Sequence, residues 1–572
     1  MEGAEGSPLR ISCTVRALSS ALRGDLEADA GSQRSPLGRS SSAGPGGLWF
    51  KESSAKNLRS RDFLAPAAVL KKLYPDGQVP GPVVQRLLSL QAPGLLPLGA
   101  CEASAAGLRV RADRPAVFRD VLEHPSLYLG PPPGQLGRGV VLNCPVLHPR
   151  PSSSSLSLGQ LRAVLVTDHL AALFRKQGFS VSLCPVLEEG SDIISFLRLL
   201  GVDWPTVSTG WTNRETEQAL WEALLKSPYA EEAGAGDLEA AGGASSEKVG
   251  RRIRVDIRRV IQEQRLQGYD PSLTTCLVLK DSVAHLAQLE GALSRCQAAA
   301  CTVLHIAGSP GEFRQQQVAV LWQAVGLRAP GGPGVRQRLL LCGPVQTSGS
   351  DSELSACQYL QLRRAQMREA SEMKYGEVQG QAWDDIIRVM TSATVKFDLL
   401  SSAHHSPVTL DVRREACVST KGGRGGVFVL YNCARLATLF ANYQQAVQQG
   451  LYPQMPEASQ LDFTCLKEEG EWLLLFNYII PFLELLEQSG QALGELGREA
   501  GPRISLGTEA VCKFLVSLSM DFSSYYNRVH ILGEPRPHLF AQMLSRLRLL
   551  GAVQRLFHCA LEMLHVPPLR QL

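Results

Sequence analysis

Hydrophobic and polar positions divide this chain of 572 residues into a middle part that alternates strands with helices and a final part that is helical. Short continuous apolar runs predict buried strands at residues 139–143, 179–183, 275–279 and 301–306. Helical patterns predict helices at residues 158–177 and 311–325. A strand, a helix and a second apolar strand are typical of a parallel βαβ unit, so we expect the middle part to be an α/β domain.

Beyond Tyr375 the strand pattern ends and helical periodicity continues to the end of the chain. Two apolar stripes predict two long helices: Val511, Leu515, Leu518, Phe522, Tyr525, Val529 and Leu532, then Leu539, Met543, Leu550, Val553, Phe557, Leu561 and Leu564. Thr508 is the expected N-cap of the first helix. A short Gly/Pro connection, with Gly533 and Pro535, makes the two helices antiparallel neighbours. The predicted fold class is therefore α/β plus all-α.

Composition along the chain sets the expected domain boundaries. Residues 1–56 are rich in Ser, Gly, Arg and Ala and predict a poorly ordered N-terminus. Residues 57–134 form a small N-terminal region that ends in a Pro/Gly boundary. Residues 135–390 form the α/β domain, with a flexible Gly/Ala/Glu insert at 230–248. Residues 391–572 form the helical domain.

Overall composition excludes several classes of protein. A hydrophobic content of 44% with 20% charged residues excludes a fibrous or wholly disordered chain. No apolar run approaches the ~20 residues of a membrane helix, and acids stand where a secretory signal is basic. We therefore expect no membrane partner and a cytoplasmic protein, with a nuclear fraction also compatible. Fourteen cysteines without a Cys-x-x-Cys pair indicate reduced thiols, no metal site and no cofactor.

The helical part carries a recognisable pattern of residues. Residues 522–532 read FSSYYNRVHIL and residues 546–550 read RLRLL, preceded by VFVLYNCARL at 427–436 and TVKFDL at 394–399. In this order they closely resemble the DALR anticodon-binding domain of arginyl-tRNA synthetases. The resemblance covers about the last 180 residues and implies a helical bundle that binds tRNA. As a whole, the chain is similar to vertebrate DALR-domain proteins.

A second, weaker resemblance runs through the middle of the chain. Residues 139–183 and 301–315 are similar to the catalytic domain of class I synthetases. The family's His-x-Gly-His signature reads Ser157-Leu158-Gly159-Gln160 here, so both phosphate-stabilising histidines are replaced. The counterpart of the second signature, residues 345–351, has no Lys or Arg. Because phosphate chemistry depends on charge stabilisation, we expect a degenerate catalytic domain and no amino-acid activation.

Together the two resemblances imply a function. They point to a non-catalytic protein that binds arginine tRNAs through the anticodon arm and serves as an adaptor for a tRNA-modifying enzyme. The similarity to the vertebrate proteins implies that this partner is a methyltransferase forming 3-methylcytidine in the anticodon loop. Two alternatives stay open: a helical scaffold that binds only proteins, and an active arginyl-tRNA synthetase with unusual signatures.

Candidate RNA contacts are aromatic, amide and basic side chains. Eight basic residues oppose four acids from residue 503 to the end, a mild electrostatic signal for nucleic acid. Aromatic faces and exposed base edges dominate recognition of single-stranded RNA, and basic side chains contact phosphates. The predicted tRNA-binding residues are Lys421, Arg424, Tyr431, Tyr526, Asn527, Arg528, Arg548 and Arg555. Lys421 and Arg424 lie in a Gly-rich loop that lacks phosphate-loop spacing. Arg546 faces the apolar side and is expected to pair internally with a carboxylate such as Asp521.

Overall fold

The protein is described by a computed structural model over most of its length. The described residues are 7–23, 49–74, 76–130, 137–148, 152–208, 213–232, 253–296, 298, 300–325, 335–349, 354–376, 379–413, 425–495 and 501–571.

The N-terminal part builds a four-stranded antiparallel sheet in the order β1-β2-β4-β3, covered by helices. Its elements are α1 (Ile11–Arg23), β1 (Lys51–Glu52), β2 (Phe63–Pro66), α2 (Ala67–Leu73), α3 (Gly81–Leu88), β3 (Leu98–Ser104), β4 (Gly107–Ala112) and α4 (Arg114–Glu123). The prediction of a poorly ordered segment over residues 1–56 is wrong for α1. This helix buries Ile11, Val15 and Leu18 on one face, a stripe that the surrounding Ser and Arg residues obscure.

The middle part contains a parallel sheet in the order β13-β12-β5-β6 and several smaller sheets. Its elements are β5 (Arg138–Asn143), α5 (Leu158–Lys176), β6 (Ser180–Cys184), β7 (Leu187–Glu188), α6 (Asp192–Leu199), β8 (Thr206–Val207), α7 (Arg214–Leu225), β9 (Ala230–Glu232), β10 (Ile253–Asp256), α8 (Ile257–Glu263), β11 (Thr275–Leu277), α9 (Lys280–Arg295), β12 (Ala300–Gly308), α10 (Glu312–Val325), β13 (Arg336–Cys342) and β14 (Val345–Ser348). Both faces of the parallel sheet are buried: Val140 and Leu304 pack on one side, Val141 and Val303 on the other. This explains why β5 and β12, at the centre of the sheet, read as largely apolar runs.

Two expectations for the middle part are wrong in detail. The strand predicted at residues 275–279 is β11, which pairs antiparallel with β10 in a separate sheet instead of joining the parallel one. The flexible insert was expected to begin at residue 230, but β9 pairs antiparallel with β10 there. Glu231 and Glu232 of the expected insert also belong to β9. Residues 233–248 lie outside the described residues.

The described residues of the C-terminal part form a bundle of helices with one short strand. Its elements are α11 (Ala356–Tyr375), α12 (Gln381–Leu400), β15 (Val408–Asp411), α13 (Gly426–Gln448), α14 (Glu469–Leu474), α15 (Phe482–Glu495), α16 (Ala510–Arg528) and α17 (Pro537–Glu562). The expectation that strands end at Tyr375 is wrong, because β15 pairs in parallel with β14. Thr508 is not the N-cap of α16; Glu509 holds that position without a side-chain cap bond, and Thr508 is buried.

The end of the bundle is fastened to the α/β domain by buried polar contacts. Lys396 of α12 donates from Nζ to the Leu564 and His565 carbonyl oxygens, at 2.7 and 3.2 Å. His565 Nδ1 lies 2.9 Å from Asp168 of α5. Burial lowers the pKa of Lys396 to about 8. These contacts set the position of the bundle relative to the parallel sheet.

Candidate nucleic-acid interface

A row of aromatic and basic side chains lies where four helices of the bundle approach one another. We call it the aromatic–cation surface. Its members are Lys374 and Tyr375 at the end of α11, Trp383 near the start of α12, Tyr431 and Arg435 on α13, and Tyr526 and Asn527 at the end of α16.

Arg435 is the centre of this surface. Its guanidinium carbon lies 4.4 Å from the ring centroid of Tyr526 and 5.5 Å from that of Tyr431, both within cation–π range. The same guanidinium donates to the Ser523 hydroxyl at 3.2 Å and to the Asn527 side-chain oxygen at 2.7 Å. One side chain therefore holds two rings and an amide from α13 and α16 in a fixed arrangement.

Lys374 extends the row toward α11 and α12. Its Nζ lies 4.6 Å from the ring centroid of Tyr375 and 5.7 Å from that of Tyr431. The ring centroids of Tyr375 and Trp383, next in the row, lie 5.4 Å apart. Tyr375 is 38% exposed and neighbouring Met373 is 79% exposed, so this end of the row is open to solvent.

The chemistry of the surface suits unpaired nucleotides. Burial raises the pKa of Tyr526, against the lowering effect of Arg435, so the phenol stays neutral at physiological pH. Neutral rings offer stacking faces for bases, and the two cations supply positive charge for phosphates. Because the Asn527 oxygen already accepts from Arg435, its amide nitrogen is left as a donor toward a base edge.

Three of the predicted contact residues come together here, whereas Arg528, Arg548 and Arg555 do not contact Arg435. Tyr431, Tyr526 and Asn527 all contact Arg435. Arg528 is exposed one residue further along, where its Nε donates to the Ser524 carbonyl.

Arg548 and Arg555 form a second basic position beside the N-terminal part. Arg548 is half-buried and donates from Nε to the Leu122 carbonyl of α4 at 3.1 Å. Burial, with a contribution from Arg548, lowers the pKa of Arg555. Lys421 and Arg424 lie outside the described residues. Their predicted RNA contacts stay predictions.

Arg546 pairs internally, but the suggested partner was wrong. Its Nε lies 2.7 Å from Glu471 of α14, whose side chain is fully buried. Tyr525 also donates to this carboxylate, at 3.3 Å. Asp521 instead accepts a hydrogen bond from Tyr478. Whether Arg546 pairs with Glu471 or Asp521 depends on where α14 packs. The helical pattern of α17 contains no information about that packing.

The most connected residue of the surface, Arg435, was missed as a candidate. Its spacing of four residues from Tyr431 on a predicted helix was a usable signal, since side chains at i and i+4 share a face. Lys374 gave no such signal, because it lies on another helix, 57 positions before Tyr431 in the sequence.

The cleft of the α/β domain lies at the carboxyl ends of the parallel strands and has a volume of about 970 Å³. The positions that resemble the first synthetase signature line it at the start of α5. There Ser157 N–H donates to the Gln160 side-chain oxygen at 2.9 Å, and Gln160 N–H donates to the Ser157 hydroxyl at 3.2 Å. The two side chains thus form a capping box that closes the helix terminus.

Behind the cleft, buried amides and histidines are bonded in a chain. His285 Nε2 lies 3.0 Å from the Asn143 oxygen, and the Asn143 nitrogen lies 2.9 Å from His305 Nδ1. His305 Nε2 in turn meets the Gln337 oxygen at 3.0 Å. Burial lowers the pKa of His305 to about 4 and that of His285 well below its usual value. Both imidazoles are therefore neutral at physiological pH and bring no positive charge to the cleft.

Only part of the segment that resembles the second synthetase signature lies within the described residues. Residues 345–348 form β14, which pairs with β15, while Ser350 and Asp351 lie outside the described residues. Among the described residues, no group of three or more His, Cys, Asp or Glu side chains is arranged to hold a metal ion. Within the same part of the chain, no helix has the length and apolarity needed to cross a bilayer.

Two family models match the chain. The DALR N-terminal domain matches residues 9–128, and the DALR anticodon binding domain matches residues 429–572. The DALR anticodon-binding domain-containing protein 3 of Danio rerio is 53% identical over 578 residues, covering 99% of this chain and 100% of that protein. The Mus musculus protein of the same name is 43% identical, covering 92% and 96%.

The chain belongs to the family of DALR anticodon-binding domain-containing protein 3.

Solved structures show which fold this family shares. Arginyl-tRNA synthetase of Thermus thermophilus aligns with a TM-score of 0.56 at 14% identity, covering 98% of this chain and 100% of that one. The Plasmodium falciparum enzyme aligns with a TM-score of 0.57 at 10% identity, covering 99% and 100%. The predicted fold class, a synthetase-like α/β domain followed by a DALR helical bundle, is confirmed. The match to the DALR anticodon binding domain indicates tRNA binding. The predicted domain boundaries stay predictions.

Proposed function

We propose that this protein binds arginine tRNAs without aminoacylating them and presents them, as a cytoplasmic adaptor, to a tRNA methyltransferase that forms 3-methylcytidine in the anticodon loop. The observation that carries the proposal is the aromatic–cation surface, in which Arg435 holds Tyr431, Tyr526 and Asn527 ready for unpaired bases.

The site favours binding over catalysis. Ser157 and Gln160, at the positions of the signature histidines, bond to each other and carry no charge. A phosphoryl transition state needs preorganised positive groups, each of which contributes several kcal/mol. The choice of arginine tRNAs rests on the family resemblance and on the synthetases that share the fold.

Capture of RNA from cells tests the binding step. We expect the purified full-length chain to bring down arginine tRNAs, identified by sequencing its small RNAs. Arg435→Gln should reduce this enrichment, because it removes the cation between two rings. Arg198→Gln, on the exposed face of α6, is the matched control and should bind as the wild type does. Absence of tRNA enrichment with intact protein would contradict the proposal and favour a protein-binding scaffold.

The adaptor step has its own measurement. Cells that lack the protein should lose 3-methylcytidine from arginine tRNAs, measured by mass spectrometry of the purified tRNAs. Wild-type protein should restore the modification and Arg435→Gln should restore less. Unchanged 3-methylcytidine in those cells would contradict the adaptor role while leaving tRNA binding intact. Arginine-dependent ATP–pyrophosphate exchange by the purified protein would contradict its non-catalytic character.

A further inference from the structure

The parallel sheet has a second cavity at the end opposite to the cleft. It has a volume of about 700 Å³ and lies at the amino ends of β5, β12 and β13. Four arginines line it: Arg138, Arg265, Arg336 and Arg338. Among the described residues that line it, none is Asp or Glu.

Strand register explains why the arginines converge. Arg138 pairs with Ala300, and Arg336 pairs with Thr302, two residues further along β12. Paired residues of parallel strands share a face, and so do residues two apart. Arg138, Arg336 and Arg338 therefore project from one face of the sheet. The Cα atoms of Arg138 and Arg336 stand about 12 Å apart, since one strand lies between them at a spacing of ~4.8 Å and their partners on β12 are offset by two residues of ~3.3 Å each.

The same face changes character along β13. Arg336 and Arg338 are the first two residues of β13 on this face. Leu340, the next residue on the same face, is fully buried in the core. Arg265 reaches the cavity from the turn after α8, where its φ of 52° is an uncommon conformation for a residue with a Cβ. The basic groups thus come from two strands and one turn.

The charge balance of this cavity differs from that around Arg114, Arg363 and Arg546. Arg114, Arg363 and Arg546 are each paired with a carboxylate within 3.2 Å. Arg138 and Arg336 are exposed at the cavity rim without such a partner in the described part of the chain. Burial, and then the charge of Arg336, lowers the pKa of Arg338. Positive charges gathered in a concave site attract anions.

We propose that this arginine cavity binds a ligand with clustered phosphate groups, held chiefly by Arg138, Arg265 and Arg336. Guanidinium groups match phosphate oxygens in geometry and charge, and the spacing of the strands allows more than one phosphate to be held. The phosphates come either from the backbone of a bound RNA or from a free polyphosphate. Only the RNA source rests on the proposed function.

The first test measures thermal unfolding of the full-length protein with and without inorganic tripolyphosphate. We expect tripolyphosphate to raise the wild-type midpoint and to leave that of Arg138→Gln/Arg336→Gln unchanged. Without ligand the double variant should be at least as stable as the wild type, because repulsion between cations is removed. Arg198→Gln/Arg214→Gln removes the same charge from exposed positions on α6 and α7 and should keep the response. Equal loss of response in this control would overturn the proposal.

The second test identifies the source of the phosphates from the salt dependence of tRNA affinity. If the cavity holds RNA backbone, the slope of log affinity against log salt should become shallower by about one to two units in Arg138→Gln/Arg336→Gln. If the source is a free polyphosphate, that slope stays as in the wild type while the tripolyphosphate response is lost. No change in either measurement would overturn the proposal. Binding of tripolyphosphate in this cavity without any tRNA binding would contradict the proposed function alone.

Discussion

The cleft of the α/β domain and the aromatic–cation surface of the bundle both gather polar side chains, but they use them differently. In the cleft, Ser157 and Gln160 bond to each other, and His285 and His305 bond through Asn143. On the aromatic–cation surface, the side chains hold one another while Tyr431 and Tyr526 stay partly exposed and Asn527 is exposed. A polar group that is satisfied internally supports the fold, whereas one that keeps an open face is available to a ligand.

The two regions therefore contribute differently: the polar side chains of the cleft support the fold, and those of the aromatic–cation surface are available to a ligand. The cleft lies at the carboxyl ends of parallel strands, where open α/β sheets bind ligands. The positions that resemble the first synthetase signature, Ser157 and Gln160, stabilise a helix terminus. The aromatic–cation surface depends on contacts between α11, α13 and α16, so its geometry depends on how the bundle packs.

The largest effect is expected at the buried ion pair that supports α16 and α17. Arg546→Ala leaves the Glu471 carboxylate buried without its cation, which costs ~3–5 kcal/mol of unfolding free energy. Chemical denaturation measures the loss, with Arg528→Ala as the exposed control. An unchanged midpoint for Arg546→Ala would contradict the assigned pair. Arg546→Met/Glu471→Gln should recover much of the stability, because no unpaired charge remains.

Acidification should weaken the fold through the polar chain behind the cleft. His305 has a pKa of about 4 in the folded protein and an ordinary value near 6.5 when unfolded, so only the unfolded chain takes up a proton between these values. Its contribution is therefore complete above pH 6.5 and is lost as the pH falls to 4, a change of about 3 kcal/mol. Denaturation curves at pH 7, 5.5 and 4.5 measure the slope.

The matched variant for that experiment is His305→Gln. It should show a shallower fall of stability with acid than the wild type, whereas His530→Gln, at an exposed position, should follow the wild type. If His305→Gln kept the full wild-type slope, other groups would be responsible and the neutral imidazole would be ruled out as the cause.

A smaller effect is expected on RNA affinity at the aromatic–cation surface. Tyr526→Ala removes a stacking face worth ~1–3 kcal/mol, which is roughly a 5- to 150-fold loss of tRNA affinity. Tyr526→Phe keeps the ring and should bind almost as the wild type does. Filter binding at constant salt distinguishes them. Equal affinity of Tyr526→Ala and wild type would remove this ring from the interface.

The smallest effect is expected at the capping box of the cleft. Ser157→Ala should lower stability by ~0.5–2 kcal/mol, since it removes the N-cap acceptor of α5, and Ser157→Thr should retain most of it. Neither change should alter tRNA affinity. A loss of RNA binding in Ser157→Ala without a loss of stability would show that the cleft, too, contacts the RNA.

Much of the fold could be predicted from sequence because its strongest patterns are local. The parallel strands and α5 follow from apolar runs and helical periodicity, and β5 and β12 are found within two residues of their predicted limits. The secondary-structure predictions failed where an element forms only by packing against a partner that is distant in sequence. Strand β15 pairs with β14, about sixty residues earlier, and α1 is stabilised by packing that its own composition obscures.

The candidate site was predictable to a similar extent. Residues 522–532 and 427–436 contain Tyr526, Asn527 and Tyr431, so residue type and motif were enough to select them. Arg435 and Lys374 gain their roles from rings on other helices. Arg548 shares a polar helix face with Arg555 in sequence, yet donates to the Leu122 carbonyl of the N-terminal part.

By itself, the sequence determined the α/β and helical parts and the identity of Ser157 and Gln160 at the positions that resemble a synthetase signature, because periodicity and residue identity are local properties of the chain. Tertiary structure decided how those residues are used. Packing turned Ser157 and Gln160 into a capping box, chose Glu471 over Asp521 for Arg546, and set Arg435 between two rings. Strand register brought the arginines of the second cavity to one face. Each outcome depends on distances between segments far apart in sequence, which only the folded chain defines.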